Sequence, residues 1–390
     1  MVLNKIGSLF VVLVLIFSSC KDDKAEIEPQ KNLRTFLIYM AADNNLSDDS
    51  YQNISSIIQG AGGYLDEGRL LVYQDPRDDK PQLIEIYQEG REVKSKVVKS
   101  YPEHNSAAAE VLSLVINDAF SMYETESRGL MLWSHGTSWL PEDKRLWSRS
   151  FGQDRYDEME LSELKQALPD SFFDFIIFDA CLMSSIEVCY ELKDKAEYIV
   201  ASPVEIFAEG FPYKLIIKDI FSKQQTEEFL TSICNTFYSY YSENEYYYNA
   251  ASISIIKTAG LDELALLCKQ IVKGKIGEIH NINTDNIQGM YFLTYGGRKL
   301  LFDFKDFYDQ IATNDQKAEM SRSLDEVVVL QKSTSMVYSS NLLYAGVRDG
   351  LFSVTKNSGL STYIPQTQRM DLNTWYSDLD WGKVVYSTAD

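Results

Sequence analysis

Two stretches decide how this chain is read: Leu130-Met131-Leu132-Trp133-Ser134-His135-Gly136, and Phe172-Phe173-Asp174-Phe175-Ile176-Ile177-Phe178-Asp179-Ala180-Cys181. Each is an apolar run of strand length that breaks off into a residue capable of chemistry. Runs without polar alternation belong to strands covered on both faces, as in a parallel sheet flanked by helices. In such sheets ligands gather beyond the carboxyl ends of the strands. His135 and Cys181 each fall two or three residues past such an end. A thiol with an imidazole beside it is a nucleophile and its base.

Working outward, short apolar runs alternate with amphipathic segments, the signature of an α/β fold. The pattern predicts strands at 35–40, 70–74 and 198–201, and helices at 47–58, 106–122 and 161–168, with another starting near Ser184 or Ser185. Segments 83–87 and 93–98 read as a β-hairpin, and 41–45 as a turn. Past residue 250 the pattern becomes mixed, with helices expected at 261–272 and 304–312 and strands at 334–338 and 361–364. The tyrosines of 238–248 read as a packed helix face and its loop rather than a binding box. Segment 137–160 is polar, charged and aperiodic, and is expected to be a long loop of the kind that carries function or a cleavage site.

The 390 residues include 45% hydrophobic and 13% aromatic side chains, enough for a sizeable core. A formal net charge of −20 leaves no basic excess to neutralise phosphates and excludes a nucleic-acid partner. At the start, Leu9 to Phe17 are unbroken apolar residues followed by Ser18-Ser19-Cys20. The run is too short to span a bilayer and fits a secretory signal. Small residues leading into a cysteine resemble a bacterial lipoprotein signal, so the expected layout is a signal peptide at 1–19 and an acylated Cys20 with a polar tether at 20–33. The segment Lys21-Asp22-Asp23-Lys24 resembles the acidic patch that sends some Gram-negative lipoproteins to the outer face, which implies the outer membrane or cell surface, with the membrane as partner through Cys20.

Of the other cysteines, Cys189, Cys234 and Cys268 read as buried, inert thiols; no C-x-x-C pair supports a zinc site. His104 and His280 lie between polar turns and are expected at the surface. Gly136 lacks a Cβ, so its N–H can approach a developing oxyanion, with the Cys181 N–H as second donor. Asp179 shares a side of the chain with Cys181. Its charge would raise rather than lower the thiol pKa, so it reads as a selector for a basic side chain.

Longer strings make the reading specific. Thr35 through Leu46, Leu132-Trp133-Ser134-His135-Gly136, Phe178-Asp179-Ala180-Cys181-Leu182-Met183, Ile186-Glu187-Val188, Ala201-Ser202-Pro203 through Gly210-Phe211-Pro212-Tyr213, and Ser358 through Pro365 resemble the clostripain family of cysteine peptidases over about residues 34–385. The resemblance implies a caspase-like three-layer α/β/α sandwich with a mostly parallel sheet, a catalytic domain at 34–250 and an added C-terminal α+β region at 251–390. It implies hydrolysis of protein or peptide substrates after arginine or lysine, with His135 and Cys181 as the catalytic pair. It puts Asp179 in the basic pocket, with a second acid near Glu209 and Glu205 as its rival. It also implies self-processing between the catalytic residues, for which Arg149 is favoured over Arg145 among Lys144, Arg145, Arg149 and Arg155. No cofactor is implied, although some members are stimulated by calcium. Ser134 stands where the family usually has Asp, Thr137-Ser138 where it has glycines, and Ser184 where a glycine is common. Those changes keep open an alternative, a catalytically silent surface lipoprotein that uses the fold for binding.

Overall fold

The computed structural model describes residues 32–65, 68–141, 150–243, 249–293 and 297–387, within a single compact unit, Lys31–Asp390. Signal peptide, Cys20, Lys144, Arg145, Trp147 and Arg149 lie outside the described residues. Among the described residues nine strands form one sheet. From edge to edge they are Val328–Ser333, Ser252–Lys257, Ala196–Ala201, Phe173–Asp179, Thr125–Trp133, Asn32–Ala42, Gly68–Pro76, Gln82–Glu89 and Glu92–Ser100. The five central strands, Ala196–Ala201 through Gly68–Pro76, run parallel, and antiparallel pairs finish both edges.

Successive side chains of the central strands enter opposite cores. Leu37, Tyr39, Leu130, Leu132, Ile176 and Phe178 belong to one, and Phe36, Ile38, Met131, Trp133, Phe175 and Ile177 to the other. Helices Ala109–Ser121, Leu161–Ala167 and Leu261–Val272 cover the first face. Ser47–Gly60, Tyr213–Ile220 and Thr226–Ser242 cover the second. This is a three-layer α/β/α sandwich with a mostly parallel sheet. Chain beyond residue 250 supplies two sheet strands, Ser252–Lys257 and Val328–Ser333, as well as elements outside the sheet.

Three expectations need correction. Segment 137–160 is not one aperiodic loop: Phe151–Asp154 and Asp157–Met159 form a hairpin, and Phe151 is wholly buried. Its buried Gln153 and Asp154 are polar and satisfied by hydrogen bonds to Arg155 and Ser106, which hides the strands from a hydrophobicity pattern. His104 is half-buried, with Nε2 2.6 Å from Tyr73 Oη, and burial lowers its pKa; His280 is half-buried too. The expected strand at 334–338 is only the short Met336–Tyr338, and a separate strand before it, Val328–Ser333, is half-buried throughout and has no alternating stripe to announce it.

Several carboxyls are buried. Glu187, wholly inaccessible, accepts from Thr362 Oγ1 at 2.8 Å and the Tyr363 N–H at 2.9 Å, tying strand Ser361–Tyr363 to the helix Ile186–Glu191. Burial pushes Glu187 up to about 7 and Asp179 up to about 6, and raises Asp75 and Asp154 in the same direction. A carboxyl whose folded pKa is raised holds its proton to higher pH than in the unfolded chain. Its contribution is complete below the unfolded value and is lost as pH rises through the folded one. Thermal midpoints are therefore expected to fall between pH 5 and pH 8, and Glu187→Gln should flatten that slope. Scanning calorimetry across this range checks it; a midpoint that rises with pH contradicts it.

Candidate active site

The two decisive stretches meet through sheet register. Thr125–Trp133 and Phe173–Asp179 are parallel neighbours in which Trp133 pairs with Asp179, so His135 and Cys181 lie two residues beyond paired positions. The loops then touch: a Cβ built on Gly136 would lie 2.8 Å from the Cys181 carbonyl oxygen and 3.1 Å from Ala180 Cβ. Only glycine permits that approach. The His135 carbonyl accepts from Gly152 N–H at 2.9 Å, and the Thr137 N–H donates to Ser150 O at 3.2 Å. Gly136 faces Phe151 between these two bonds, so its own N–H takes no part in them. Cys181 precedes Leu182, held at a φ of +65°. Such left-handed backbone at a non-glycine residue is strained and concentrates at functional sites.

Both residues line a cleft of about 660 Å³ together with Asn45, Asp179, Glu205 and Glu209. Tyr338, Ser340, Leu343 and Tyr344 bring chain from beyond residue 250 to the same cleft. His135 Nε2 is 2.8 Å from Asn45 Oδ1. The half-buried Cys181 sulfur accepts from the Ile206 N–H at 3.3 Å. Burial, and then the negative charge of Glu205 and of Asp179, pushes its thiol up to about 12. A thiol raised this far holds its proton at neutral pH and would act as a nucleophile only with a base beside it.

Asp179, 4% exposed, forms part of the cleft lining. Its Oδ2 accepts from the Phe211 N–H at 3.1 Å and from Tyr213 Oη at 2.5 Å. Gly210, at a φ of +66°, lies over it so closely that an added Cβ would come within 2.3 Å of Oδ2. Tyr241 Oη holds the Gly210 carbonyl at 2.5 Å, which is what the tyrosine-rich helix contributes here. Of the two candidate second acids, Glu209 is exposed, whereas Glu205 is half-buried. Glu205 accepts from Ser339 Oγ at 2.8 Å and from the Ser340 N–H at 2.9 Å, and burial raises its pKa.

The residues that depart from the family pattern are built into the packing. Ser134 Oγ bonds Ala41 O at 2.7 Å and receives the Gln153 N–H at 3.2 Å. Ser138 sits at a φ of +66°, a conformation in which glycine is the unstrained choice, and its hydroxyl meets Ser185 Oγ at 2.6 Å. Ser184 Oγ donates to Gly359 O at 2.7 Å.

Cys189, Cys234 and Cys268 are buried, with thiols pushed up by desolvation and no place in the cleft. Arg155 is held by Asp43 at 2.7 Å and by Glu103 at 2.5 Å. Among the described residues no group of three or more His, Cys, Asp or Glu converges as metal ligands. Sequence reasoning missed Asn45, Tyr213 and the link from Glu205 to Ser339. Asn45 had a signal: it ends the Ala-Asp-Asn-Asn run after strand Asn32–Ala42, the sheet neighbour of Thr125–Trp133.

Comparisons with known proteins find a matching family and similar solved structures. The sequence profile of the clostripain family matches residues 38–389. An inactive zymogen C11 protease from Parabacteroides distasonis is 37% identical, with a TM-score of 0.82 over 92% of this chain and 99% of its own. A secreted C11 cysteine protease from Bacteroides thetaiotaomicron, solved with an irreversible peptide inhibitor, is 26% identical, with a TM-score of 0.78 over 91% and 99%. No curated protein sequence matches the chain.

Proposed function

From the premise that this chain belongs to the clostripain family and is a cysteine peptidase, we propose that it hydrolyses peptide bonds on the carboxyl side of arginine or lysine, using Cys181 and His135. The observation that carries the reading is a single cleft holding a thiol, an imidazole and a buried carboxylate in its lining. His135 takes the thiol proton as Cys181 Sγ attacks the scissile carbonyl. The N–H groups of Gly136 and Cys181 hold the oxyanion, a contribution of about 3–4 kcal/mol per donor in such sites. His135 then gives its proton to the leaving amine as the C–N bond breaks, and water releases the acyl group from sulfur. Asp179 meets the basic side chain, with Glu209 at the exposed side of the cleft and Glu205 nearer the thiol. Turnover of fluorogenic arginine or lysine peptides, with no turnover of their norleucine counterparts, tests the reading; equal rates on both would overturn the specificity.

The enzyme is expected to process itself after Arg149, leaving a new chain that begins at Ser150. The support is local. Ser150 is pinned by bonds to Thr137 and Leu140, so the chain leaves near Pro141 and returns beside His135. Arg155 is tied into ion pairs within a packed hairpin, which removes it as a rival cut. A relative crystallised as an inactive zymogen fits maturation by cutting. Mass spectrometry should find two chains from wild type and one from Cys181→Ala; a single, fully active wild-type chain would exclude it.

Export and anchoring rest on residues 1–20. Cys20 is proposed to carry acyl chains that hold the enzyme at the outer membrane or cell surface, and a secreted relative is consistent with export. Radiolabelled fatty acid should appear on wild type and not on Cys20→Ser; label on the serine variant would refute acylation at this site.

A further inference from the structure

The turn after the first central strand is fixed by Asn44, and its neighbour Asn45 is not needed for that. Asn44 Nδ2 donates to Ala41 O at 3.0 Å and to Gln153 O at 2.7 Å, and Asn44 Oδ1 receives the Leu46 N–H at 2.8 Å. Asn45 is exposed at the surface, yet its Oδ1 stands 2.8 Å from His135 Nε2.

The geometry points to Asn45 as a positioning residue for His135, fixing the imidazole so that Nδ1 is the nitrogen that exchanges a proton with the Cys181 sulfur. The chemistry follows from what each atom can do. The amide oxygen only accepts, so it selects the tautomer with hydrogen on Nε2 and leaves the lone pair on Nδ1. As Nδ1 takes the thiol proton, the ring becomes an imidazolium and the same oxygen stabilises the charge through the Nε2–H. When Nδ1 releases that proton to the leaving amine, the ring returns to the tautomer from which it started. Register makes the contact possible, because Met40 pairs with Trp133, and the chain reaches Asn45 five residues later while His135 lies two beyond its own strand end.

This role rests on the proposed peptidase reading, and the test separates their failures. In the full chain, Asn45→Ala should lower kcat on an arginine peptide by about 10- to 100-fold, part of the 10²- to 10⁴-fold that acid–base transfer supplies, with KM changed less than about twofold. Asn45→Asp keeps the acceptor and should recover most of the rate. Its added negative charge stabilises the imidazolium, so the acid limb of the pH–rate profile should move to higher pH. Wild-type kcat in Asn45→Ala, or an acid limb unmoved in Asn45→Asp, overturns the role. If no variant turns over peptide, the peptidase reading has failed, and ¹⁵N resonances of the imidazole still decide on Asn45. With His135 assigned by its loss in His135→Gln, the ring should be an Nε2–H tautomer in wild type and a mixture in Asn45→Ala. An identical tautomer balance in both refutes the role.

Discussion

Cys181→Ala protein is expected to cleave arginine and lysine peptides at least about 10⁴-fold more slowly than wild type, the scale of loss when a covalent nucleophile is removed. The side chain it loses is half-buried and its hydrogen bonds are two weak ones to the Ile206 backbone, accepting from the N–H at 3.3 Å and donating to the carbonyl at 3.6 Å, so folding should survive. Circular dichroism and the thermal midpoint are expected to stay near wild type while turnover disappears. The other described cysteines are sealed inside the two cores and cannot substitute. Turnover equal to wild type in the alanine variant would remove Cys181 from the mechanism.

Asp179→Asn is expected to lose cleavage after basic residues far more than it loses stability. The amide keeps an oxygen for the Phe211 N–H and Tyr213 hydroxyl, so the floor of the cleft stays satisfied. What disappears is the charge proposed to meet a basic side chain of the substrate. A desolvated pair of this kind is worth about 2–5 kcal/mol, or roughly 30- to 5,000-fold in kcat/KM. Because burial pushes this carboxyl up to about 6, its charge is lost as pH falls through that value. Efficiency on arginine substrates should therefore drop below about pH 6 in wild type, and the variant should lack this component. Full efficiency of Asp179→Asn on an arginine peptide would show that the basic pocket lies elsewhere.

The central strands were legible because burial on both faces leaves an unbroken apolar run, and the sheet places Leu130–Trp133 beside Phe173–Phe178 as those runs suggest. The site residues at their ends followed from that placement. Strand Phe151–Asp154 was hidden because its buried Gln153 and Asp154 are polar and satisfied by hydrogen bonds to Arg155 and Ser106. No periodicity reports such burial. Asn45 was visible as a motif but not as a partner, since its role depends on register between strands that are distant in sequence. The Glu205–Ser339 contact joins positions far apart along the chain, and only the folded structure brings them together.

The most direct test of the central claim is to expose the full-length protein to a peptide ending in an arginine chloromethyl ketone and map the adduct by mass spectrometry. The thiolate should displace chloride, giving one adduct per chain, on Cys181. Labelling should be much slower in His135→Ala and with the norleucine analogue. An unlabelled Cys181, or labelling at the same rate by the norleucine ketone, would contradict a basic-specific peptidase built on these two residues.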